Sequence, residues 1–138
     1  MKSQRRLQHY HRPYHEALAR LADRPGTAIV AVHSFTPQLN GRPPRPWHIG
    51  ILSNDDRRLS DPLLAELQNH TDVTTGDNVP YTGYLEGDTM DKHALPQNLL
   101  HTLIEVRNDL IAEESGQIKW AERLAPLIKT AISKATDI

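Results

Sequence analysis

The chain has 138 residues, of which 38% are hydrophobic and 24% charged, a size and composition typical of one folded domain. A formal net charge of -1 argues against nucleic acid and anionic membranes as partners, because such affinity rests on clustered Lys and Arg. The absence of cysteine excludes disulfides and thiolate zinc sites, so a metal would be held by His, Asp, Glu and water. We find neither a secretory signal nor a membrane-spanning run, and we predict a single cytoplasmic domain over residues 1–138.

The first two predicted elements are a helix and a strand. Apolar residues recur at helical spacing over 13–21, which predicts a helix that begins at its proline and leaves His11 outside. The run 27–32 is β-branched and almost continuously apolar, which is typical of a strand buried on both faces of a mostly parallel sheet. His33 comes at the C-terminal end of this strand. The proline-rich stretch 35–47 predicts a long loop, and long ordered loops are usually functional.

The rest of the chain alternates strands with helices. The pattern predicts a strand at 48–53, a helix at 60–68 with Ser60 as its N-cap, a short strand at 73–75, a polar loop at 76–91, a buried strand at 99–106, and an amphipathic helix at 115–134 kinked at Pro126. This rhythm indicates an α/β fold, in which helices flank a mostly parallel or mixed sheet.

Two polar residues stand out because they follow or interrupt apolar strand runs. His33 follows the first run, and Glu105 breaks into the last one. In open α/β sheets, ligands bind beyond the carboxyl ends of the strands. A neutral imidazole is a common zinc ligand, and a carboxylate can move a proton from the attacking water to a departing amine. The pair therefore suits amide hydrolysis. The plainer alternative is that His33 is a hydrogen-bonded structural residue and that Arg107 neutralises Glu105.

Several ordered motifs resemble the N-formylglutamate amidohydrolase family. They are Tyr10, 13–15, 17–18, 31–37, 45–50, 77–83, 93–94 and 104–111, and together they extend over nearly the whole chain. The segments around His33 and Glu105 are also distantly similar to zinc carboxypeptidases. The resemblance implies a carboxypeptidase-like fold, zinc as cofactor, His33 as metal ligand and Glu105 as general base. It implies hydrolysis of N-formyl-L-glutamate, or a related N-acyl amino acid, to formate and the free amino acid.

Other residues of these motifs are candidates for substrate binding. Arg45 and Arg107 are equal candidates to clamp a substrate carboxylate, and Arg107 could instead orient Glu105. Asn78 and Tyr81 are candidates to hydrogen-bond the substrate, with simple loop structure as the alternative. By resemblance, His15 borders the pocket and His93 either contacts substrate or supports the loop.

The sequence also departs from the family pattern. Family members carry an additional N-terminal part that supplies the first metal-binding motif, and we predict that this chain lacks it. Catalytic zinc usually has three protein ligands and a water, so His33 would need donors from other histidines or from a second chain. The alternatives are a truncated, non-catalytic domain that forms homo-oligomers through exposed sheet edges, and a small-molecule binding domain that uses its arginines without metal.

Overall fold

The structure, a computed structural model, describes residues 2–137 and begins with one long helix. Its consecutive stretches are α1 (Lys2–Arg6), a π-helical turn (Leu7–His11) and α2 (Arg12–Ala22). A helix over 13–21 is therefore confirmed, but its predicted start at the proline is wrong. The Arg12 N–H reaches back to the Leu7 carbonyl, so the helix widens just before Pro13, whose ring would crowd a regular α-helical turn. His11 thus lies inside the helix.

The remaining elements alternate as predicted, with small shifts in their bounds. In chain order they are β1 (Ala28–Phe35), β2 (Ile49–Leu52), α3 (Ser60–Gln68), β3 (Thr75–Asp77), a π-helical turn (Met90–Ala94), a 3-10 turn (Leu95–Gln97), β4 (Leu100–Arg107), a 3-10 turn (Asn108–Ile111) and α4 (Glu114–Thr136). The third strand lies at 75–77 rather than 73–75, which shortens the predicted polar loop. The terminal helix continues through Pro126. None of the helices within residues 2–137 has the length and hydropathy that a membrane crossing requires.

The four strands form one mixed sheet in the order β1, β4, β2, β3. β1 and β4 run parallel, β4 and β2 antiparallel, and β2 and β3 parallel. This confirms an α/β fold with helices against a mixed sheet. The prediction that the first strand is buried on both faces is wrong, because β1 is an edge strand and Val32 is 59% exposed. A continuous apolar run reports hydrophobicity but not position in the sheet.

Helices cover the two faces of the sheet unequally. α3 and α4 bury the larger core, which is built on Ile49, Ile51 and Ile104 of the central strands. A smaller cluster lies on the other face, where α2 and the Met90–Ala94 turn pack near Ile29. Because alternate residues of a strand point to opposite faces, His33 and Glu105 lie on this thinner face. The polar pair is thus kept away from the main core.

The sequence predicts Ser60 as the N-cap of α3, and this prediction is wrong. Leu59 takes that position, and the Ser60 hydroxyl instead bonds the Thr102 hydroxyl of β4 at 2.8 Å, with both residues fully buried. We expect Thr102→Val to lower the free energy of unfolding by about 1–3 kcal/mol, because it leaves Ser60 without its partner. The measurement is urea denaturation, with Ser60→Ala/Thr102→Val as the matched variant. If the double variant regains most of the free energy that Thr102→Val loses, the pairing is supported. If the double variant and Thr102→Val lose the same free energy, the pairing is contradicted.

Candidate active site

His33 and Glu105 lie side by side on the thinner face of the sheet. The parallel register of β1 and β4 pairs the two residues directly, and their side chains approach with Nδ1 of His33 3.8 Å from Oε1 of Glu105. The His33 side chain is 57% exposed, whereas that of Glu105 is 10% exposed. An exposed imidazole therefore lies beside a buried carboxyl group.

The surroundings of Glu105 favour its protonated form more than water does. Burial raises the pKa of its carboxyl group, and the nearby His33 and Arg45 oppose that rise only in part. Its Oε2 is buried and has no hydrogen-bond partner within residues 2–137. A desolvated carboxyl group with a raised pKa holds a proton more readily than a free one, which suits a group that must accept and then return a proton in hydrolysis.

A loop packs against the sheet next to Glu105 because Gly50 has no side chain. Gly50 pairs with Glu105 across β2 and β4, and a Cβ at this position would collide with the Val79 carbonyl. Asn78 holds the loop in place from a left-handed backbone conformation, φ 52°. Its side-chain oxygen accepts the N–H groups of Ser53 at 3.0 Å and of Gly83 at 3.1 Å. Asn78 therefore shapes the loop, and its oxygen is already engaged there.

The structure distinguishes the two arginines that the sequence left equal. Arg107 donates to the Asp109 carboxylate and to the carbonyls of Arg45 and Trp47, so it fastens the 36–47 loop to the end of β4. Arg45 donates from Nη1 to the Thr36 carbonyl and the Tyr81 hydroxyl. Its other donors are not used by these contacts, and its charge acts on Glu105. Arg45 is therefore better placed to bind an anion beside Glu105.

His33 and Glu105 open onto a pocket of about 450 Å³. His33, Glu105, Tyr81 and His15, four of the predicted site residues, line it together. Arg45, Asn78 and Arg107 do not line it. Arg45 reaches its rim through its hydrogen bond to Tyr81, and Asn78 and Arg107 support the loops around it. His11 also lines the pocket, although the sequence placed it outside the helix. The spacing of four residues between His11 and His15 was the pattern that could have identified it.

His15 and His93 form a hydrogen bond at the edge of the same pocket. Nδ1 of His15 lies 2.7 Å from Nε2 of His93, on the Met90–Ala94 turn. Burial lowers the pKa of His15, and the charges of His11, Lys92 and His93 lower it further. Both effects favour the neutral form of the His15 ring. Nothing in the sequence pattern relates these two histidines, which are 78 residues apart.

A catalytic zinc ion usually has three protein ligands and a water. His33 suits a ligand, since its imidazole is exposed to the pocket, and Glu105 beside it suits a non-ligating base. Over residues 2–137, however, no group of three or more His, Cys, Asp or Glu side chains is arranged to hold a metal ion. His33 and Glu105 thus fit one ligand and the general base of a zinc site, and the other ligands are not among the residues described.

The chain is similar to known proteins in both sequence and fold. A sequence model of the N-formylglutamate amidohydrolase family matches residues 1–112. A solved gene product of Agrobacterium tumefaciens is 39% identical, with a TM-score of 0.80 over 93% of this chain and 52% of its own. The N-formylglutamate amidohydrolase of Ralstonia eutropha JMP134 is 25% identical, with a TM-score of 0.58 over 97% of this chain and 51% of its own. No curated protein matches the chain. The chain spans about half the length of these two solved structures.

Proposed function

Because this chain belongs to the N-formylglutamate amidohydrolase family, we propose that it hydrolyses the amide bond of N-formyl-L-glutamate or a related N-acyl amino acid. The observation that carries the proposal is the position of Glu105. Its buried carboxyl group lines the pocket beside His33, and both residues lie in the region that the family model matches. A raised pKa makes this carboxyl group suitable for moving protons during hydrolysis.

In the proposed reaction, Glu105 is the general base and then the general acid. Its carboxylate takes a proton from water while the water oxygen attacks the formyl carbon. The carbon–nitrogen bond then breaks, and Glu105 gives its proton to the departing nitrogen, so that formate and the free amino acid leave. Both transfers use one carboxyl group, which explains why a pKa closer to neutral is useful.

We propose zinc as the cofactor and His33 as one of its ligands. A bound zinc ion would polarise the amide carbonyl and acidify the attacking water. The remaining ligands would come from donors other than His33 and Glu105. We expect His33→Ala to weaken zinc binding at least about tenfold in competition with a chromophoric chelator. His9→Ala, which removes an exposed histidine from the N-terminal helix, should leave zinc binding unchanged. Equal affinity in the wild type and both variants would exclude His33 as a ligand.

Arg45 is proposed to bind the carboxylate of the substrate. Arg45→Gln should raise KM for N-formyl-L-glutamate by about 10–100-fold with little change in kcat, because a charged hydrogen bond to a non-reacting group affects ground state and transition state alike. Arg42→Gln is the control, since Arg42 is an exposed residue of the same loop. Similar KM values for the two variants would mean that the carboxylate is bound elsewhere.

A non-catalytic binding domain is the second candidate function. It is supported by the lack of a three-donor metal group over residues 2–137 and by the exposed edge of β1 at Val32, where a second copy could pair. In this case N-formyl-L-glutamate would bind with the same affinity before and after chelation, and no formate would form. Calorimetric titration with and without a chelator separates this candidate from the hydrolase.

A further inference from the structure

The pair formed by His15 and His93 joins two elements at the edge of the pocket. His15 projects from α2 and His93 from the Met90–Ala94 turn, and their rings stack with centroids 5.0 Å apart at an angle of 21°. His93 is buried, with 7% exposure, whereas His15 is half-buried and lines the pocket with His33 and Glu105. A buried imidazole therefore supports a pocket-lining one.

The groups around His15 are mostly basic or neutral. His11 packs against its ring at 4.2 Å, Tyr14 meets it edge-on at 5.1 Å, and Lys92 lies 3.3 Å from the outer nitrogen of His11. Across the pocket stand His33 and Glu105, and Asp88 also lines it. Burial, and then these basic neighbours, lower the pKa of His15 and so favour its neutral form.

Hydrogen bonding between the two rings determines which atom of His15 remains free. A contact of 2.7 Å between ring nitrogens requires one nitrogen to donate and the other to accept. Nδ1 of His15 is used in this bond, so Nε2 is the ring nitrogen left for a molecule in the pocket. The bond also holds the ring orientation, and when Nε2 of His93 donates to Nδ1 of His15, the proton of the neutral His15 ring lies on Nε2.

We propose that His93 is a positioning residue, which fixes the ring and tautomer of His15 so that Nε2 of His15 hydrogen-bonds the bound N-acyl amino acid. The proposal rests on the proposed function and extends it. Neither a metal ligand nor the proton transfer by Glu105 is involved. The substrate has carbonyl and carboxylate oxygens, and a neutral imidazole with a protonated Nε2 can donate to either.

The first test measures the tautomer of His15 directly and does not depend on turnover. Long-range ¹H–¹⁵N spectra of the labelled chain should show one protonated and one unprotonated ring nitrogen for His15. In His93→Leu the two nitrogen shifts should move toward the average of mixed tautomers, and His93→Gln, whose amide can replace Nε2, should restore most of the difference. His101→Leu removes another buried histidine that does not line the pocket and should leave His15 unchanged. Unchanged His15 shifts in His93→Leu would overturn the proposal.

The second test adds N-formyl-L-glutamate or L-glutamate to the Glu105→Gln protein, which is expected to bind without turnover. The shift of Nε2 of His15 should move on binding, and His93→Leu in the same background should weaken binding by about 3–30-fold. If binding is seen at Arg45 while Nε2 of His15 does not move, the positioning role is wrong and the proposed hydrolase function is untouched. If wild-type protein releases no formate but Nε2 responds to the ligand, the hydrolase function fails and the positioning role stands.

Discussion

Glu105→Gln is expected to lower kcat for formate release from N-formyl-L-glutamate by about 10²–10⁴-fold, the usual contribution of a general acid–base group. An amide of the same shape neither takes a proton from water nor returns it to the departing nitrogen. Initial rates of formate formation measure the effect, and Glu122→Gln on the exposed face of α4 is the matched control. Wild-type rates in Glu105→Gln would remove Glu105 from the mechanism.

The same substitution should raise stability at neutral pH. The folded-state pKa of Glu105 lies above the ordinary value of 4.5, so its favourable contribution is complete below that value and is lost as the pH rises through the folded pKa. We therefore expect Glu105→Gln to be more stable than wild type at neutral pH, because the amide carries no charge for burial to disfavour. The difference should shrink toward pH 4 in urea denaturation. Loss of activity together with a gain in stability would identify a group kept for function.

Ile104→Ala should destabilise the fold by about 2–5 kcal/mol, the largest stability effect that we expect. Ile104 is 0% exposed in the central strand β4 and packs in the core beneath α3 and α4. Val32→Ala is the control, since Val32 pairs with Ile104 in register but is 59% exposed on β1. This control should lose less than about 1 kcal/mol. If Val32→Ala and Ile104→Ala lose the same free energy of unfolding in urea denaturation, β1 is covered in solution, as the edge strand of a self-associating protein would be.

The central parts of the fold could be predicted from the sequence because their patterns have one meaning. The apolar run 99–106 is buried in β4, and a carboxyl group inside such a run is expensive unless it is paired or used. Glu105 therefore stands out in the sequence alone. Edge positions could not be predicted in the same way, because the run 27–32 has the same composition whether its strand is central or, as observed, at the edge.

Long-range contacts between polar side chains were the other limit. Arg45 and Arg107 have the same chemistry and both adjoin the site, so only their hydrogen bonds distinguish Arg107, which fastens the loop, from Arg45, which keeps unused donors. His15 and His93 come together through the packing of a helix on a turn, which no local pattern encodes. The continuous helix through His11 was missed because the π-helical widening before Pro13 has no simple sequence pattern.

Formate release from N-formyl-L-glutamate by the wild-type 138-residue protein, with added zinc and then with excess chelator, is the most direct test of the proposed hydrolase. We expect equal amounts of formate and L-glutamate with zinc, and none with the chelator. No formate under either condition, with N-formyl-L-glutamate still bound, would contradict hydrolysis at the pocket of His33 and Glu105 and would favour the non-catalytic binding domain.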